Sequence, residues 1–444
     1  MFTVDLIENE RNGKYASIKT KDVLVMFSSS VILTIMTTSR ETAPPGHPAQ
    51  QANSPVGNRA AKRPHGLTDH RPVPRGAPLV PPSVREPYLP ESGRRGRGAL
   101  TNRSGRYEPQ SRELADDGWD NLEDVPALKT QVTAENARHI ITRNASPDIP
   151  FDRSINAYRG CEHGCVYCFA RPTHAYMGLS PGLDFESKLF AKPNAAQLLE
   201  KELSREGYEV APIAMGTNTD PYQPIEQRYR ITRSILEVLS AYNHPVTILT
   251  KSARIVRDID ILSSLAERNL VRVALSVTTL DAKLARTLEP RASTPTRRIE
   301  AIKLLSDAGI PVGAMIAPII PALNDMEIEK LLTGVSYAGA RDANFVILRL
   351  PLEIRDIFVE WLHENAPDKA THVMSLIRQM RGGKDYDSKW AERQSGTGPY
   401  AWQIARRFEI ACRKLGIGYG SRDTTALDRS QFLVPGRGKQ LALL

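Results

Sequence analysis

Four cysteines in 444 residues are too few to staple a disulfide scaffold. Aromatic residues make up 6% of the chain, and no stripe of basic residues is interleaved with them as a strand-binding groove would require. Long apolar runs are missing too. The longest, residues 23–36, has fourteen residues, short of the roughly 20 that a membrane-spanning helix needs, so no membrane association is expected. With 41% hydrophobic and 25% charged residues, the composition is nonetheless that of a globular protein and excludes a wholly disordered or fibrous chain.

A basic body is also lacking, although the formal charge is +9. Residues 1–50 carry five basic and five acidic side chains, and residues 51–112 carry twelve and four. The surplus therefore belongs to one segment, and residues 113–444 are nearly neutral. A nucleic-acid function cannot be read from the net charge alone.

Five regions follow from composition. Residues 1–40 form an apolar leader. Lys14, Lys19 and Lys21 precede its apolar run as in a secretory signal, but no convincing small-residue cleavage site follows directly; a start at Met26 or Met36 would leave the residues before it untranslated. Residues 41–112, with twelve of the 32 prolines between Pro44 and Pro90, bury too little apolar surface to offset ordering and are expected to be disordered. Within them Arg94-Arg95-Gly96-Arg97-Gly98 offers a contact for nucleic acid or an acidic partner. Residues 113–149 are a lead-in segment. Residues 150–350 form a core, and 351–444 a helical extension with helices over 353–365, 372–381 and 400–415.

The core alternates strands and helices. Strands are expected at 154–159, 210–216, 245–250, 271–278, 311–317 and 344–350, with helices at 194–206, 226–242, 254–268, 295–308 and 325–338 between them. Pro193 opens the first helix and Gly309 closes the fourth. Six β-then-α units argue an α/β fold with a parallel sheet curled into a partial (β/α)6 barrel. In such a fold, ligands gather at the C-terminal ends of the strands.

Three of the cysteines follow the first expected strand, as Cys161-Glu162-His163-Gly164-Cys165-Val166-Tyr167-Cys168. Three thiols at C-x3-C-x2-C spacing are a metal site in a reducing compartment, here the cytoplasm. A zinc ion completed by His163 or His174 is one occupant, which would make the chain a zinc-stabilised nucleic-acid-binding protein. A [4Fe–4S] cluster with one iron left open is the other. Cys412, far downstream in an apolar helix, reads as a buried core thiol.

C-x3-C-x2-C with an aromatic before the last cysteine, ending the first strand of a βα series, resembles the radical S-adenosylmethionine (SAM) superfamily. The flanks, Ser154–Gly160, Phe169–His174 and Gly216–Pro224, together with Arg97–Leu100 and Asn102, are similar to its spore-photoproduct-lyase-like branch. The resemblance implies an enzyme. Cys161, Cys165 and Cys168 would hold a [4Fe–4S] cluster, and SAM bound to its open iron would be cleaved reductively to a 5′-deoxyadenosyl radical that takes hydrogen from a substrate, for which the branch suggests a nucleic acid. It implies a low-potential electron donor of flavodoxin or ferredoxin type. It also implies SAM contacts from Tyr167, from Gly216, Thr217, Asn218, Thr219 and Asp220 after the second strand, from Ser276 after the fourth, and from Pro318 on the fifth. The superfamily's Gly-Gly-Glu form is absent from the second strand end. Spore photoproduct lyase also uses an extra cysteine as hydrogen donor, and no cysteine lies between Cys168 and Cys412.

Overall fold

Short runs rich in Val, Ile and Ala form the core strands because both faces of a parallel sheet are covered and every position can be apolar. The computed structural model describes residues 93–108, 127–420 and 426–436, together with three strands near the N-terminus. These last, Asp5–Ile7, Tyr15–Thr20 and Val23–Ser28, pair antiparallel in a unit of residues 1–72. The leader expected at 1–40 therefore carries strands, one of them within its apolar run. Most of the segment expected to be disordered lies outside the described residues.

The core strands are β1 (Arg153–Ile155), β2 (Ile213–Met215), β3 (Val246–Thr250), β4 (Val271–Ser276), β5 (Val312–Ile319) and β6 (Asp342–Ile347). They are parallel and lie in sequence order, with Ile141–Arg143 antiparallel on the β1 edge and Gly418–Tyr419 parallel on the β6 edge. The sheet is thus the open, partial barrel expected. Between the strands run α1 (Ala195–Leu203), α2 (Ile231–Ala241), α3 (Ile259–Glu267), α4 (Pro295–Asp307) and α5 (Ile328–Tyr337). Pro295 occupies the first turn of α4, where its missing N–H costs nothing. Gly309 follows at φ +76°, a conformation that ends a helix and that few other residues adopt.

The segment after β6 has two roles. The helix α6 (Ile354–Asn365) and the helix α7 (Pro367–Gln379) share a hydrophobic cluster with the cysteine loop, in which Cys165, Val166 and Tyr167 pack with Ile354, Phe358, Trp361 and Ile377. Fully burying side chains of this size contributes about 1.5–3 kcal/mol each. Trp361 also donates its indole N–H to the Thr287 carbonyl at 3.0 Å. The last helix, α8 (Gly398–Leu415), places Ile404, Phe408 and Cys412 in the main core beneath the sheet. Cys412 is the buried core thiol its surroundings suggested.

One expectation fails in an informative way. Residues 97–101, counted with the disordered segment, are buried. Arg97 donates to the Glu186 carbonyl at 2.7 Å and the Leu128 carbonyl at 2.8 Å, and the amides of Gly98 and Ala99 donate to the Glu186 carboxylate at 2.8 and 2.9 Å. The segment is ordered by hydrogen bonds to a buried carboxylate. A hydrophobicity argument misses this entirely.

Candidate metal and cofactor site

The loop after β1 carries all three cysteines to the C-terminal end of the sheet. Its path is fixed by backbone contacts. The Cys161 amide donates to the Phe185 carbonyl at 3.0 Å, Val166 to Leu288 at 3.1 Å, and Cys168 to Cys165 at 3.2 Å. The fully buried Arg171 donates to the carbonyls of Cys165 at 2.8 Å and Gly164 at 3.1 Å and pairs with Glu186 at 2.5 Å. Gly164 sits at φ +68° against Glu186. At Gly98 the packing is so close that an added Cβ would lie 1.9 Å from the Gly164 carbonyl oxygen. The 97–101 segment, Glu186 and Arg171 together form a buried polar seam under the loop.

Burial pushes the thiols of Cys161, Cys165 and Cys168 above their ordinary range, with Asp220 adding to the effect at Cys161 and Glu289 at Cys165. The backbone N–H groups of Asp220 and Ala170 oppose it at Cys161 and Cys168. Backbone amides directed at sulfur are the support that cluster thiolates receive.

The other expected residues surround this loop. Gly216, at φ +88°, lets the turn after β2 pass so close to β3 that a Cβ would meet the Leu249 carbonyl oxygen at 1.9 Å. The side chains beyond it are engaged with the protein itself. The Asn156 side-chain oxygen Oδ1 accepts the amides of Asn218 at 3.0 Å and Thr219 at 3.3 Å, and the Thr217 hydroxyl at 3.4 Å. The Thr219 hydroxyl donates to the Tyr158 carbonyl at 3.2 Å. Asp220 accepts from the Thr250 hydroxyl at 2.6 Å and the amides of Lys251 at 2.7 Å and Tyr222 at 2.8 Å. Ser276 bridges Lys251 Nζ at 2.9 Å and the Ala317 carbonyl at 3.1 Å. Pro318 is buried after a cis peptide bond, its carbonyl accepting from Asn324 at 3.0 Å. The two histidines offered as a fourth ligand are occupied elsewhere. His163 Nδ1 lies 3.4 Å from Asp220, and His174 packs edge-on against Phe185 with Nε2 2.9 Å from the Lys188 carbonyl.

A sequence model of the radical SAM superfamily matches residues 155–333. An uncharacterised protein of Mycobacterium tuberculosis is 37% identical over 233 residues, covering 52% of this chain and 68% of the relative. The chain belongs to the radical SAM superfamily. A second uncharacterised relative, from Methanocaldococcus jannaschii, is 31% identical over 173 residues, covering 39% of this chain and 62% of that protein. Among solved structures, spore photoproduct lyase complexed with dinucleoside spore photoproduct aligns over 65% of this chain and 80% of its own, with 15% identity and a TM-score of 0.47.

Radical SAM enzymes use a [4Fe–4S] cluster, SAM and a reductant, and the residues here fit the cluster. The three cysteines come from one loop at the C-terminal end of the sheet, and a cube takes its cysteines on separate irons. The buried thiols also need a strong cationic partner to ionise, which iron supplies. No helix among the described residues is long and apolar enough to cross a membrane.

Sequence reasoning missed the charged pair beneath this radical SAM site. Glu289 and Arg298 are buried and form an ion pair. Glu289 also accepts from the Tyr167 hydroxyl and, at 2.5 Å, from Thr278. Burial alone would raise the Glu289 carboxyl, but Arg298 and Lys251 outweigh it and hold it at about 2. Tyr167 is therefore tied by its hydroxyl while its ring lies 5.7 Å from Lys251 Nζ. No periodicity marks such a pair inside a polar stretch; the one available signal was an arginine on the inward face of α4.

Proposed function

We propose that Cys161, Cys165 and Cys168 hold the [4Fe–4S] cluster and that SAM lies against Tyr167, the turn Gly216–Asp220, Ser276 and Pro318. When bound, the pair supplies reductive cleavage of SAM and abstraction of a hydrogen atom from substrate. The observation that carries this reading is the loop itself, which brings three thiols, two buried and Cys168 half-buried, to the C-terminal end of the sheet. The protein's own part is positional. The polar seam fixes the loop. Asn156 and Asp220 fix the turn after β2, leaving its carbonyls as acceptors for an ammonium group. Lys251 offers a positive charge to a carboxylate, and Glu289 orients Tyr167.

The thiols require a reducing compartment, so we assign the protein to the cytoplasm, with a flavodoxin- or ferredoxin-type donor. The substrate class that the basic residues of 51–92 favour is nucleic acid; beyond them Arg97 is buried, and Arg94, Arg103 and Arg106 pair with Glu364, Glu360 and Glu353. Anaerobic purification tests the reading. Brown protein with about four irons per chain that converts SAM to 5′-deoxyadenosine supports it. Colourless protein retaining one zinc overturns it.

A further inference from the structure

We propose that Arg349, backed by Arg381, forms a subsite for a phosphate group of the substrate beside Phe169. The inference deepens the reading above and rests on it, because Phe169 directly follows Cys168 and so places the subsite at the rim of the cysteine loop.

Arg349 lies two residues beyond β6, where an open α/β sheet receives its ligands. Its guanidinium stands over the Phe169 ring at 5.7 Å, and that ring is 52% exposed. Arg349 Nε is buried without a hydrogen-bond partner. The nearest polar contact of its outer nitrogens is the Tyr386 hydroxyl at 3.5 Å. The carboxylate that feels Arg349, Asp148, already accepts from the Ala391 amide at 2.6 Å and pairs with Arg393.

Arg381 is 2% exposed and donates to backbone carbonyls alone, at Glu392 (2.9 Å), Ile347 (3.4 Å) and Leu348 (3.0 Å). Burial, with Arg349 adding, pushes it down to about 10. Two neighbouring guanidiniums, neither within ion-pair distance of a carboxylate, are costly unless an anion joins them. Two other buried guanidiniums of this protein have such partners: Arg171 has Glu186 and Arg298 has Glu289. A carboxylate would be satisfied by one guanidinium fork. Two positive groups suit the higher charge and tetrahedral oxygens of phosphate. Phe169 beside them gives an attached planar group a surface to stack on.

The test is calorimetric titration of the reconstituted holoenzyme with deoxycytidine, deoxycytidine 5′-monophosphate and a DNA octanucleotide, in wild type and in Arg349→Gln and Arg349→Lys. We expect at least one phosphate-bearing ligand to bind and the nucleoside not to. Arg349→Gln should weaken binding at least tenfold and reduce the salt slope by about one, with Arg349→Lys intermediate. Binding by the octanucleotide alone identifies a phosphodiester; equal binding by the monophosphate identifies a monoester. Wild-type affinity in Arg349→Gln, or binding of deoxycytidine as tight as that of its phosphate, overturns the proposal. Iron content separates this from the cofactor reading. Protein that holds iron and cleaves SAM but ignores phosphate breaks only the subsite. Protein that binds phosphate through Arg349 but holds no iron breaks only the cluster.

Discussion

The loop after β1 and the turn after β2 both carry chemistry-bearing side chains to the same end of the sheet, but they use them in opposite ways. In the cysteine loop the backbone and the seam beneath it hold the shape, and the three thiols are left for a ligand. In the turn Gly216–Asp220 side chains, those of Asn156, Thr219 and Asp220, hold the shape, and backbone carbonyls are left. Asp220 looks in the sequence like an acceptor for a charged ligand, yet it caps the end of β3. A polar residue at a strand end therefore has two readings, and only its partners separate them.

Cys165→Ala makes the most severe break on the side where side chains are left for a ligand. We expect loss of the brown colour and of 5′-deoxyadenosine formation together; iron analysis and product assay check it, and survival of either would remove Cys165 from the ligand set. Glu289→Gln comes next. It leaves Arg298 buried without its counter-charge, for a loss of about 3 kcal/mol in denaturant unfolding. The same pair sets a pH dependence. Glu289 is held at about 2 against an ordinary 4.5, so its ionised form stabilises the fold above about 4.5. That contribution is lost as pH falls through this range toward 2, and a pH series on Glu289→Gln should lack this acid limb. Gly98→Ala forces the seam apart at the Gly164 carbonyl and should cost about 1–3 kcal/mol, with a lower melting temperature and reduced iron loading. Asp220→Asn is the mildest and sharpens the contrast most. We expect about 1 kcal/mol of lost stability, with SAM affinity falling no further than the folded fraction. A variant as stable as wild type that no longer binds SAM would show that Asp220 serves the ligand after all.

The legible parts of the sequence were those with a period or a spacing. All six core strands and the five longer helices between them were found, because alternating β-branched runs and amphipathic stretches are the direct imprint of a covered parallel sheet. Boundaries shifted where a second element intervened. The strand expected at 154–159 is β1 plus the separate pair Tyr158–Arg159, which joins a flanking three-stranded sheet. The helix expected at 226–242 breaks at Arg230, which adopts a left-handed conformation. Ala282–Leu288 was missed because seven residues give too short a pattern. The cysteines were legible from spacing alone. The residues that support them were not. Glu186, Arg97 and Arg171 meet from three places in the chain, and a hydrogen bond between distant residues leaves no local trace. The Gly- and Arg-rich composition of 93–98 even argued the wrong way, since glycine there serves close approach.

The seam also sets an order of events during synthesis. Residues 97–101 leave the ribosome well before Cys161, but Glu186, to which they attach, emerges eighteen residues after Cys168. Until then the latch has nothing to close on, and the three thiols stand on an unfastened strand of nascent chain. On the reading proposed above, a cluster would meet an open loop before that point and a fastened one after it.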